Sequence, residues 1–121
     1  MSDLYREVII DHYKHPRNFR PLLDADAHGK EDNAVCGDSV EYFLAFDASG
    51  KAREVTWQGQ GCALSQAAAS LLSEQLLGKT REELAQVSDG DILKIVGEQL
   101  NPSRKKCATL CILALQNTLR T

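Results

Sequence analysis

No stretch of this 121-residue sequence holds an apolar run near the about 18 residues that a membrane span needs. The charged-then-apolar opening of a secretory signal is missing as well. Basic charge is not in excess: 14 Lys and Arg face 17 Asp and Glu, and a net charge of −3 argues against general binding to nucleic acid. There is no internal repeat and no composition shift that would mark a second domain. These absences predict one domain spanning residues 1–121, in a reducing, cytoplasmic compartment, with neither membrane nor nucleic acid as a partner. What is present fits a globular chain, since 43% of residues are apolar and 26% charged.

The four cysteines are Cys36, Cys62, Cys107 and Cys111. In a reducing compartment they favour metal binding or sulfur chemistry over disulfides. The close ligand pairs of a zinc ribbon or finger are lacking, because Cys36, Cys62 and Cys107 lie far apart in the chain. Such spacing suits separate loops or helix starts that meet at one end of a sheet. No Cys-His pair of the hydrolytic type is evident. His12, His15 and His28 are remote in sequence from the cysteines, and His15, before Pro16, reads as structural or interfacial.

The periodicities predict the order of elements. Residues 4–13 read as a short amphipathic helix capped by Ser2 or Asp3 and closed before Pro16. Residues 24–33 are polar, and part of them can pair as an edge strand before Cys36. Residues 40–46 alternate, with Val40, Tyr42, Leu44 and Phe46 on one face, and residues 53–58 alternate with Val55 and Trp57 inward. Together they make an antiparallel hairpin across the Asp47-Ala48-Ser49-Gly50 turn. A helix follows Cys62 and stops at Gly78. Thr80 and Glu83 form a capping-box signal. Residues 89–100 read as another helix, and a last one covers residues 104–119 with Ser103 as its cap and Leu110, Leu113, Ala114 and Leu115 on its apolar face. A helix, then two or three strands, then helices implies an α+β fold: a small antiparallel sheet of about three strands with helices on one face and a long C-terminal helix.

The chemistry collects in three places. In Asn33-Ala34-Val35-Cys36-Gly37-Asp38, Gly37 permits a tight turn that lets the Cys36 thiol and the Asp38 carboxylate converge. In Gly59-Gln60-Gly61-Cys62-Ala63-Leu64-Ser65, a glycine-flanked turn sets Cys62 at a helix start, where unpaired N–H groups favour a thiolate. Cys107 follows Arg104-Lys105-Lys106, whose cations are disfavoured in a first helical turn unless they face negative charge; Lys106 or Arg104 would then balance a thiolate cluster. Three thiolates and the Asp38 carboxylate can complete a tetrahedral zinc site or hold an iron–sulfur cluster. Cys111 sits among Leu110, Ile112 and Leu113 and reads as a packed core cysteine. A small binding domain with purely structural zinc is a further reading; its site should be closed, whereas a transfer site should be reachable by solvent.

These segments, with Leu4-Tyr5 and Asp11-His12-Tyr13-Lys14-His15-Pro16-Arg17-Asn18, resemble the U-type iron–sulfur cluster assembly scaffolds, the NifU-like group that includes IscU and SufU. The resemblance covers nearly the whole chain. It implies a scaffold that takes sulfur from a cysteine desulfurase, builds a two-iron two-sulfur cluster and passes it to acceptor apo-proteins. It also implies the alternative of a zinc-dependent sulfur acceptor, since some members hold zinc in the same site. Carried over by position, the ligands are Cys36, Asp38, Cys62 and Cys107, with Cys107, at an exposed helix start, as the first sulfur acceptor and Asp38 keeping the cluster labile. Self-association is left open. Three departures stand out. Lys106 takes the place of a ligating histidine in the IscU branch and is similar to SufU. The gap from Cys62 to Cys107 is short, as in IscU. Leu100-Asn101-Pro102-Ser103-Arg104 does not match the chaperone-recognition segment of IscU.

Overall fold

The structure is a computed structural model, and it describes residues 3–97 and 99–120. The element order is α1 (Asp3–Lys14), β1 (Ala27–Asn33), β2 (Asp38–Phe46), β3 (Ala52–Gln60), α2 (Ala63–Leu76), α3 (Arg81–Ala85), α4 (Asp89–Val96) and α5 (Pro102–Leu119). The strands form one antiparallel sheet in the order β1-β2-β3, as the α+β reading expects.

The hairpin register places Tyr42 opposite Trp57 and Leu44 opposite Val55. Their side chains share the face on which α2 and α5 pack, and Tyr42, Leu44 and Trp57 are among the largest fully buried residues. The polar ends of the two aromatics find partners inside: Tyr42 Oη donates to Ala69 O at 2.7 Å and Trp57 Nε1 to Arg17 O at 2.8 Å. Each ring thus adds apolar burial without leaving a donor unpaired. The expected alternation runs out at Phe46. The register shifts between Ala45 and Phe46, which leaves Phe46 half-buried beneath the Arg81 guanidinium, 4.7 Å from the ring centroid.

The polar segment before Cys36 forms the edge strand β1. Its low apolar content is compensated by α5, which lies close against it. Gly29 makes that approach feasible: a Cβ there would fall on Thr118 N and within 2.6 Å of Asn117 C. Asn117 Nδ2 then donates to Lys30 O at 2.9 Å.

α2 is the central helix. Ala67, Ala68 and Ala69 are fully buried, and their small side chains let α1, β3 and α5 approach it closely. It ends at Leu77, with Gly78 just beyond it at φ 84°, donating its N–H to Ala52 O at 2.8 Å. The capping box of α3 forms as expected: Glu83 N donates to Thr80 Oγ1 and Thr80 N to Glu83 Oε1.

Three helix boundaries differ from expectation. Of the two caps expected for α1, Ser2 lies outside the described residues, and Asp3 is the first residue of the helix. α4 stops at Val96 rather than Leu100, because Gly97 takes φ 123°, a left-handed-side value that breaks the helix. α5 starts two residues earlier than residue 104. Its cap is Asn101, whose Oδ1 accepts from Arg104 N at 2.8 Å, and Pro102 rather than a polar residue opens the helix. Ser103 is inside the first turn. On α5, Leu110, Ala114 and Leu115 are buried, but Leu113 is 46% exposed. None of the described helices is long and apolar enough to cross a membrane.

Candidate metal centre

Cys36 sits in the turn between β1 and β2. Gly37 N donates to Asn33 O at 2.9 Å, Asn33 Oδ1 accepts from Val35 N at 3.2 Å, and Gly37 takes φ 71°. The turn leaves Cys36 exposed and returns the chain at Asp38, the first residue of β2.

Asp38 is only 1% exposed. Its Oδ1 accepts from Cys62 N at 2.8 Å and its Oδ2 from Cys62 Sγ at 3.5 Å. Gly61 makes this meeting feasible twice over. It takes φ 133°, which other residues rarely adopt, and a Cβ there would fall on Asp38 Oδ1. Cys62 is itself the N-cap of α2, its Sγ accepting from Ser65 N at 3.4 Å. Gln66, one turn further on, donates from Nε2 to Ser39 O at 3.2 Å and Gln60 O at 3.0 Å, tying the two ligand loops together.

Cys107 comes from α5. It is neither exposed nor at the helix start, as the sequence had suggested. The early start of α5 puts it in the second turn, 8% exposed. Its thiol lies near those of Cys62 and Cys36. Ligand atoms of Cys36, Asp38 and Cys107 all lie within 4.8 Å of one another. Cys62 is not part of that close group and is tied to it through its hydrogen bonds to Asp38. Sulfurs about 2.3 Å from a tetrahedral zinc stand roughly 3.8 Å apart, so the spacing and donor types fit zinc; thiolates with one carboxylate also suit an iron–sulfur cluster.

In the protein alone, burial raises the Cys107 thiol to about 12, with the neighbouring Cys62 and Cys36 adding to the rise. A bound cation reverses that cost, because thiolate is the form that coordinates. All four cysteines are free thiols. Cys111 is fully buried, its Sγ donating to Ala108 O at 3.4 Å, and burial raises it to about 12. It is a core residue outside the ligand group.

Arg104 lines an open cleft of about 720 Å³ together with Arg6, Ile9, Ile10, Cys62, Ala63, Leu64 and Cys107. Lys106 is exposed and is not among its lining residues. The histidines stay away from the thiols. His15 and His28 are exposed, and His12 is buried between α1 and α2, its Nδ1 2.8 Å from Ser70 Oγ. Ser70 Oγ also accepts from Arg17 N at 2.9 Å, and Glu74 Oε1 is 3.6 Å from His12 Nε2. Neither this network nor the Gln66 clamp has a local signature in the sequence; each needs two segments to meet. Arg6 had one faint signal, its place on the polar side of an amphipathic helix.

The α+β domain thus gathers thiols and a buried carboxylate at a solvent-reachable edge, a donor set that could hold a thiophilic metal or cluster. The chain matches the model of the NifU-like N-terminal domain over residues 4–121, and it belongs to that family. It is 32% identical over 133 residues to the zinc-dependent sulfurtransferase SufU of Bacillus subtilis, covering 96% of this chain and 89% of that protein. It is 27% identical over 137 residues to the iron–sulfur cluster assembly scaffold protein IscU of Streptococcus pyogenes, covering 99% and 85%. It is also 35% identical over 115 residues to the bifunctional protein NifU/MnmA of Rubrobacter xylanophilus, where it spans 95% of this chain but 24% of that protein. Among solved structures, a SufU protein of Fervidobacterium islandicum assigned to the SUF system superposes with a TM-score of 0.80 at 28% identity, covering 93% and 94% of the two chains.

Proposed function

We propose that this protein is an iron–sulfur cluster assembly scaffold. It receives sulfur from a cysteine desulfurase, holds a two-iron two-sulfur cluster through Cys36, Asp38, Cys62 and Cys107, and hands it to acceptor apo-proteins. The observation that supports this reading is the convergence of Cys36, Asp38 and Cys107 within 4.8 Å of one another, with Cys62 hydrogen-bonded to Asp38 beside them. A structural zinc site would be closed, whereas here Cys36 and Cys62 are exposed. Free thiols of this kind suit a reducing, cytoplasmic setting.

Within the site each residue has a distinct part. Cys36 is the exposed ligand on the turn between β1 and β2. Cys62 and Asp38 are locked together by two hydrogen bonds and present their donors as a unit. Cys107 supplies the buried thiol and is proposed as the first acceptor of sulfur from the desulfurase, with Arg104 lining the same cleft. Asp38, a hard oxygen donor among soft sulfurs, is the ligand that keeps the cargo exchangeable.

The alternative reading, a zinc-dependent sulfur acceptor, has its own support in Lys106 before Cys107 and in the likeness to the Bacillus SufU. Anaerobic reconstitution with iron, cysteine and a desulfurase, followed by absorption spectroscopy and metal analysis, separates the two. A visible charge-transfer spectrum with two irons per chain bears out the scaffold. Persistent equimolar zinc with faster desulfurase turnover bears out the alternative. Mass spectrometry of each Cys→Ser variant after desulfurase treatment shows which thiol gains sulfur first.

A further inference from the structure

The cleft beside the thiols has a composition that the ligand set does not explain. Its lining brings Arg6 from α1 and Arg104 from α5 to one concavity of about 720 Å³, with an apolar wall from Ile9, Ile10 and Leu64 and with Cys62 and Cys107 in its surface. Among the described residues, no carboxylate lines it. Neither guanidinium has an ion pair or side-chain hydrogen bond among the described residues, although the chain carries a net charge of −3 and other surface arginines, such as Arg17 and Arg20, are paired with acids. Two unpaired guanidiniums on separate helices, lining the same cleft as an apolar wall and two thiols, fit a ligand that carries both a carboxylate and sulfur. The volume is that of a small-molecule pocket.

We infer that this cleft is a binding subsite for small carboxylate-bearing persulfides, which load sulfur onto Cys62 directly, without a protein donor. The inference rests on the thiol site proposed above and adds a second class of sulfur donor to it. Arg6 and Arg104 hold the carboxylate, and the apolar wall covers the short carbon chain. Cys62 is the exposed thiol of the two in the cleft. Its sulfur attacks the outer sulfur of R–S–SH. A new S–S bond forms between Cys62 and that sulfur while the donor's own S–S bond breaks, its C–S bond staying intact. The Cys62 thiol proton leaves with the departing group as R–SH, and the product is a Cys62 persulfide. One sulfur moves between two thiols, and no external oxidant or reductant is required.

The test uses the full reduced chain and two donors generated in situ: the persulfide of 3-mercaptopropionic acid and that of its methyl ester. Site-resolved mass spectrometry follows sulfur on each cysteine over time. The expected result is that Cys62 is the first thiol loaded, with the acid loading it about tenfold faster than the ester, equivalent to about 1.4 kcal/mol. In the Arg6→Gln/Arg104→Gln chain that ratio should fall to near one, and Arg→Lys replacements should restore part of it. Equal rates for acid and ester in the unaltered chain, a ratio that survives the double substitution, or first loading at another cysteine would overturn the inference. Cluster and zinc loading are measured on the same samples. An arginine-dependent preference for the acid upholds the subsite whether or not metal loads, whereas its absence in a chain that assembles clusters normally removes the subsite and leaves the scaffold reading standing.

Discussion

Asp38 has a structural duty and a proposed one toward the cargo, and a single substitution separates them. It is buried and accepts both the backbone N–H and the thiol of Cys62. Asp38→Ala leaves that N–H without its acceptor and should lower the stability of the protein without cargo by about 1–3 kcal/mol, read from urea unfolding. The same variant, once reconstituted, should lose its cluster to a chelator several-fold more slowly, because the exchangeable oxygen ligand is gone. Release as fast as in the unaltered protein would end the idea that Asp38 confers lability. Gly61 is the partner position. Gly61→Ala meets Asp38 Oδ1 and must adopt φ 133°, so it should cost about 1–3 kcal/mol in the urea midpoint and lower the metal bound per chain.

At the scale of elements, α5 is the one whose ends matter most. Asn101→Ala removes the hydrogen bond to Arg104 N and should destabilise by about 0.5–2 kcal/mol. Because Cys107 lies in the next turn, the variant should also weaken zinc retention against a chelator more than a cap change on α3 does. The boundary of α5 also shows what a sequence reveals and what it hides. The strand pair, the capping box of α3 and the cysteine at the head of α2 were legible because each depends on neighbours in the chain. Asn101-Pro102-Ser103 offers two polar caps, and only the packed position of the helix picks the first. That choice moves Cys107 from an exposed first turn to a buried second one. Gly29 against Thr118, Gln66 across two loops and His12 against Ser70 were not legible, since each contact joins residues far apart along the chain.

For the molecule as a whole, His12 links α1 to the central helix and sets a pH dependence. Burial, with a smaller effect from Arg17, holds its imidazole below the ordinary range, while Glu74 and Asp11 oppose the shift. The unfolded chain therefore takes up a proton that the folded chain resists. The stability this represents is present in full above about pH 6.5, the ordinary histidine value, and is lost as pH falls from there toward the lowered folded value. Urea midpoints measured across that window should drop with acid in the unaltered protein, and a His12→Gln variant should show a flatter profile over the same interval. An identical slope in both would remove His12 from the account.

The ligands of the candidate centre come from three stretches that only the finished fold brings together, so a denatured chain has no comparable grip on its cargo. Whatever binds there draws the population toward the native form by mass action. A loaded chain should therefore resist proteolysis that digests a depleted one, and the supply of metal and sulfur would regulate how long each copy survives.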